Sequence, residues 1–143
     1  VNRFITQAVI GYPLTVYGKG GQTRGYLNIK DTLQCVHIAE NNPAKPGNLN
    51  IYNQIMETFT VNQLAELTLK AGQALGYEVN IKNIENPRIE LEEHYYNPSY
   101  QGLIELGVIP NYLTLDTMKK MFKIVAKHKG KIKKDVIFKG VKW

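Results

Sequence analysis

The sequence predicts an α/β fold, and two observations lead there. Apolar residues at helical spacing alternate with short stretches rich in β-branched and aromatic residues, and the connections between them are brief. Read in order, the segments run α β β α β α β α α with no internal repeat. The strands are short and scattered, so by themselves they would build only a thin sheet.

Each element has its own local reason. Residues 1–10 place Phe4, Ile5, Ala8 and Val9 on one helical stripe, and Gly11 stops the helix. "PLTVYG" (13–18) and "TRGYLNI" (23–29) read as extended segments on either side of a glycine turn. "KDTLQCVHIAEN" (30–41) reads as a helix with Leu33, Val36 and Ala39 on one stripe, and "NPAKPG" (42–47) as a loop. "NLNIYNQ" (48–54) reads as a short strand. The clearest helix follows. Thr60 caps it, Gln63 completes a capping box, Leu64, Leu67, Ala71 and Leu75 form its apolar face, and Gly76 ends it. "EVNIKNI" (78–84) is a strand and "ENPRIELEEHYYN" a polar loop. Asn97 and Pro98 open a short helix that Gly107 closes. Thr114 caps the last helix, with Leu115, Met118, Phe122 and Val125 inward and Lys119, Lys120, Lys123 and Lys127 outward.

Composition narrows the function classes. The 143 residues match one domain in size, and no apolar run approaches the roughly 20 residues that span a bilayer. The single cysteine, Cys35, allows no intrachain disulfide, fits a reducing compartment, and reads as a small buried side chain. The net charge of +6 is concentrated at one end, since residues 115–143 hold ten lysines against two acids. Aromatic residues do not alternate with these lysines, which argues for a solvated helix face and tail over a surface for single-stranded nucleic acid. A basic module for nucleic acid or an acidic partner is the competing reading.

The stretch "VYGKGGQTRGY" puts Gly18, Gly20 and Gly21 ahead of Arg24. Gly-x-Gly-x-x-Gly fails at Thr23, and Gly-x-x-Gly-x-x-Gly fails at Arg24. The context fails too, because a dinucleotide fingerprint joins a strand to a helix N-terminus, and here two extended segments are joined. Such a turn can still serve a nucleotide by placing side chains. Arg24 can meet phosphate oxygens in a bidentate fork, Tyr17 can lie against a base or ribose, and Gln22 offers an amide. Tyr26 and Lys30 share the Tyr-x-x-x-Lys spacing of a dehydrogenase pair. That chemistry needs one helix face, whereas four extended residues cover roughly 13 Å, so the pair is not catalytic. No metal-ligand pattern is present in the sequence.

Taken together, "PLTVYGKGGQTRGYLNIKDTLQCV", the strand-like "NIYNQ", a capped helix, Arg88 in a loop and "NPSYQGLIELGVIP" resemble the C-terminal part of the extended short-chain dehydrogenase/reductases that act on nucleotide sugars. Arg24-Gly25-Tyr26, where most members carry Arg-Asp-aromatic, together with "NPAKPG" and "NPRIELEEHYYN", is similar to the branch that joins sulfite to UDP-glucose.

The resemblance implies a Rossmann-type enzyme using tightly bound NAD. C4 of UDP-glucose is oxidised, water is lost across C5 and C6, sulfite adds at C6, and the 4-ketone is reduced again. It implies that Arg24 and Arg88 grip the pyrophosphate, that Tyr17 and Gln22 lie near the nucleoside, that Glu90 or Glu92 takes a ribose hydroxyl, and that His94 lies near the sugar. It also implies a homodimer with neither nucleic acid nor membrane as partner, in the cytoplasm or, in a plant or alga, the chloroplast stroma.

The family's nucleotide-binding glycines, active-site threonine and Tyr-x-x-x-Lys helix are absent from these residues and are expected upstream. The expectation is therefore a C-terminal portion in which 1–29 and 55–143 mainly build the sugar-nucleotide domain and 30–54 return to the NAD-domain sheet. Alone, it would bind no NAD and catalyse nothing. An epimerase or dehydratase of UDP- or dTDP-glucose is the alternative within the family.

Overall fold

The computed structural model describes residues 1–86 and 98–138. Its helices are α1 (Asn2–Val9), α2 (Ile29–Asn41), α3 (Val61–Gln73), α4 (Gln101–Glu105), α5 (Leu115–Lys127) and α6 (Lys134–Phe138). Its strands are β1 (Leu14–Tyr17), β2 (Thr23–Tyr26), β3 (Glu57–Thr60) and β4 (Ile81–Ile84), paired β1 with β4 and β2 with β3. The chain divides into two compact units, one from 1–22, 60–86 and 114–138, the other from 23–59 and 98–113.

In the first unit, β1 runs parallel to β4, with Leu14 opposite Ile81 and Tyr17 opposite Ile84. Leu14, Thr15 and Val16 are all buried, as in a strand covered on both faces. α1 buries Phe4, Ile5, Ala8 and Val9, the stripe expected from its spacing. It also buries Gln7, whose Nε2 donates to Thr15 Oγ1 (2.8 Å) while its Oε1 accepts from the Thr15 N–H (3.1 Å). The amide thus fastens the helix to the strand and satisfies a buried backbone donor. Gln7→Leu keeps the volume but strands the Thr15 donor. A loss of about 1–3 kcal/mol in urea unfolding is expected.

α3 begins with the capping box: Thr60 Oγ1 accepts from the Gln63 N–H (3.1 Å), and Gln63 Oε1 accepts from the Thr60 N–H (2.8 Å). Its Leu64 and Ala71 are buried. Gly72 completes that face, because a Cβ there would stand 2.6 Å from Val79 Cγ2 and 3.2 Å from Phe122 Cζ. α5, capped by Thr114, buries Met118 and Phe122 and leaves Lys120, Lys123 and Lys127 exposed. Leu115, expected to face inward, is exposed; as the first residue of the helix it lies before the stripe closes over the core. The Tyr77 ring packs 5.5 Å from that of Phe122.

In the second unit, Cys35 is buried with Met56, Leu103 and Val108. Burial and the nearby Asp31 carboxylate push its thiol pKa up, so it sits protonated, as a small core side chain should. The stripe Leu33–Val36–Ala39 of α2 faces solvent, with Leu33 65% and Val36 57% exposed, while α2 turns Asp31 and Cys35 inward. One expectation needs correcting. No strand forms over 48–54, where Leu49 and Ile51 are both 81% exposed. The edge of β2 is taken by β3, whose Phe59 meets Tyr26 edge-to-face at 5.8 Å. A strand in that part of the chain exists, but six residues or more later than the apolar pattern suggested.

Asp31, at 0% exposure, ties α2 to the segment after α4. Its carboxylate accepts from the Asn111 N–H (2.9 Å), Asn111 Nδ2 (2.6 Å) and Gln34 Nε2 (3.0 Å). Nearby, Glu57 accepts from the Leu113 N–H at 2.7 Å. Partial burial raises the Glu57 pKa and Asp31 adds to the rise, against the opposing Leu113 hydrogen bond. A carboxyl whose folded pKa is raised contributes stability that is present below its unfolded pKa and is lost as pH rises through the folded value. Glu57→Gln keeps an acceptor for Leu113 and removes the charge. Its Tm should exceed wild type at pH 7, and the difference should shrink as the pH falls toward 4.

Candidate functional site

The glycine turn between β1 and β2 owes its shape to backbone geometry and to two asparagines. Gly18 (φ 59°) and Gly20 (φ 72°) occupy the left-handed region that glycine enters without a Cβ penalty. A Cβ on Gly20 would collide with the Asn62 side-chain carbonyl and lie 2.6 Å from Val16 Cγ1. Around the turn, the Gly18 N–H donates to Ile84 O (2.8 Å) and Asn83 Nδ2 donates to Gly18 O (2.7 Å). Asn62 Nδ2 donates to Lys19 O (2.8 Å), and the Asn62 N–H, in the first turn of α3, donates to Gly20 O (3.0 Å). Gly20→Ala should therefore cost about 3 kcal/mol or more in urea unfolding, from left-handed backbone strain added to overpacking.

This turn is not the strand–turn–helix cradle of a dinucleotide fingerprint. It links two strands instead of opening a helix, and the space at Gly20 is filled by protein atoms.

In the first unit, Tyr17 ends β1 and Gln22 follows the turn. The Tyr17 ring lies 5.2 Å from the Arg3 guanidinium, and its hydroxyl accepts from Arg3 Nη1 at 3.2 Å. Gln22 flanks Gly18, and its Oε1 is buried without a hydrogen-bond partner among the described residues. A buried, unmatched acceptor is costly unless something donates to it.

In the second unit, Arg24 lies on β2 with an exposed side chain whose Nη1 donates to Thr23 O at 2.9 Å. Tyr26 sits on the same strand and Lys30 in the first turn of α2, so the two do not share a helix. Burial raises the Tyr26 pKa, with Arg24 pulling the other way, which leaves a neutral phenol and not an activated one. Arg88, Glu90, Glu92 and His94 fall outside the described residues. Arg3, Asn62 and Asn83 were not among the candidates read from sequence. Arg3 meets Tyr17 across 14 residues, and the asparagines act through backbone atoms far away in the chain, so no local pattern marks them. Among the described residues, no cluster of His, Cys, Asp and Glu could hold a metal ion, and no helix is long and apolar enough to cross a membrane.

With this geometry in hand, the chain can be set beside known proteins. No family model matches it. Its fold is that of the corresponding part of Rossmann-type, NAD-dependent nucleotide-sugar epimerases. It superposes on UDP-glucose 4-epimerase from Thermotoga maritima, solved with UDP-glucose, with a TM-score of 0.66 at 20% identity over 87% of this chain and 38% of that one. For UDP-glucuronic acid 4-epimerase from Bacillus cereus, solved with UDP-glucuronic acid and NAD, the TM-score is 0.67 at 18% identity over 88% and 39%. Pal from Bacillus thuringiensis gives 0.69 at 24% identity over 87% and 38%.

The sequence goes further than the fold. Along its whole length the chain is 46% identical to the chloroplastic UDP-sulfoquinovose synthase of Spinacia oleracea and 43% identical to the UDP-sulfoquinovose synthase of Sulfolobus acidocaldarius. It matches the C-terminal part of these proteins, spanning 30% and 37% of their length.

Proposed function

We propose that this chain is the substrate-binding, C-terminal portion of an NAD-dependent UDP-sulfoquinovose synthase, which turns UDP-glucose and sulfite into UDP-sulfoquinovose and water. The observation that carries this reading is whole-length identity of 46% and 43% to two proteins of that name from very different organisms. In support, the turn and Arg24 keep the order and spacing of the resemblance drawn from the sequence.

Within this reading, Arg24 and Arg88 neutralise the diphosphate, for which a planar fork of donors is suited to paired oxygens. Tyr17, stiffened by Arg3, lies against the nucleoside, and the unmatched Gln22 Oε1 accepts an N–H from it. Glu90 or Glu92 takes a ribose hydroxyl, and His94 lies toward the sugar. The remainder of the protein holds NAD and the catalytic groups, so this portion alone binds no NAD and turns over no substrate. Exposed Ile29, Leu33 and Val36 on α2, with Leu49 and Ile51 beyond it, are the apolar surface that remainder covers. The assembled enzyme is a homodimer in the cytoplasm or, in a plant or alga, the chloroplast stroma.

The test is UDP-glucose turnover by the full-length protein with and without sulfite. Formation of a sulfonated UDP-sugar only when sulfite is present supports the proposal. UDP-galactose formed regardless of sulfite would assign the chain to an epimerase instead.

A further inference from the structure

We propose that Asn62 and Asn83 are positioning residues for the nucleotide sugar, acting through the glycine turn without touching the ligand. The inference rests on the reading of the site given above. Three successive carbonyls, those of Gly18, Lys19 and Gly20, are each held by a donor from one of these two residues, at 2.7, 2.8 and 3.0 Å. The two residues come from separate elements. Asn62 lies in the first turn of α3, where a backbone N–H has no partner inside the helix, and Asn83 lies in β4 beside β1.

The clamp is specific in its chemistry. A turn rich in glycine is loose in the free chain and loses much entropy on ordering. Two carboxamides that hold the Gly18 and Lys19 carbonyls remove part of that cost before the ligand arrives, which raises affinity by preorganisation and leaves the contacts themselves unchanged. Asn62 also fills the space that a Cβ at Gly20 would need, so glycine and asparagine are matched to each other. The turn is flanked by Tyr17 and Gln22 in the same unit. A change in its backbone path therefore displaces Tyr17 and Gln22, the residues proposed to hold the nucleoside.

Both side chains are largely exposed, so carboxylates of the same shape can replace them without emptying a core. Asn62→Asp and Asn83→Asp each exchange an N–H donor for an oxygen that repels the turn's carbonyl. The experiment compares these variants, and Arg24→Ala, in the full-length enzyme, with UDP-glucose as the varied substrate and UDP as a competing ligand.

Each Asp variant is expected to raise KM for UDP-glucose and the inhibition constant of UDP together, by about tenfold, with kcat within about twofold. Arg24→Ala should raise both by more. Asp variants with lowered Tm and unchanged KM would overturn the proposal, since that is what a purely structural role gives. Loss of folding in both variants would overturn it too. If Arg24→Ala raises KM while both Asp variants match wild type, the clamp fails and the site reading stands. If Arg24→Ala also matches wild type, the site reading itself has failed.

Discussion

Asp31→Ala is expected to destabilise the second unit by about 3–5 kcal/mol, enough to unfold a domain of ordinary stability in mild denaturant. The reason is the asymmetry of buried hydrogen bonds. A pair that is made yields little net stability, but a donor left without its acceptor loses its full hydration. Asp31 is wholly buried and accepts three donors, from the Asn111 backbone, the Asn111 amide and Gln34. Removing it strands the Asn111 N–H and leaves the Asn111 amide and Gln34 Nε2 on the Ile109 carbonyl (3.4 and 3.0 Å), which loosens the segment 109–113, whose Leu113 is also held by Glu57. Asp31→Asn should be milder, because one amide oxygen can still accept while its NH₂ opposes the remaining donors. Urea unfolding followed by circular dichroism, with a shift of the midpoint at constant slope, is the measurement. A midpoint within a few tenths of a molar of wild type would mean that α2 is held by its apolar contacts alone.

The second large effect concerns binding. Arg24→Ala in the full-length enzyme should raise KM for UDP-glucose about a hundredfold, which at 1.4 kcal/mol per tenfold is roughly 3 kcal/mol. A contact of equal strength in ground and transition states changes KM and leaves kcat. Arg24→Lys should fall between the two, since an ammonium keeps the charge and loses the planar fork. The loss in affinity for UDP should be as large as that for UDP-glucose. A KM effect confined to UDP-glucose would move Arg24 from the diphosphate to the hexose.

Local signals were read well where they are local. The capping box of Thr60 and Gln63, the Thr114 cap and the buried stripe of α1 are written in residues three or four apart, and all are present. The glycine turn was legible for the same reason, as was its failure to be a dinucleotide cradle. What was misread depends on a partner the residues themselves do not specify. Leu49 and Ile51 have the apolar pattern of a strand, and the pattern says nothing about what the strand would pair with. β3 was missed because "ETFT" is a weak strand signal that becomes one through pairing with β2. Asn62, Asn83 and Arg3 were missed because their partners lie 14 to 65 residues away.

The most direct test of the account is sulfite-dependent turnover of UDP-glucose by the full-length protein, read by mass spectrometry of the products. A UDP-linked hexose carrying a sulfonate, formed only with sulfite and needing far more UDP-glucose after Arg24→Ala, is the result expected. Epimerised UDP-hexose formed at the same rate with or without sulfite would contradict it.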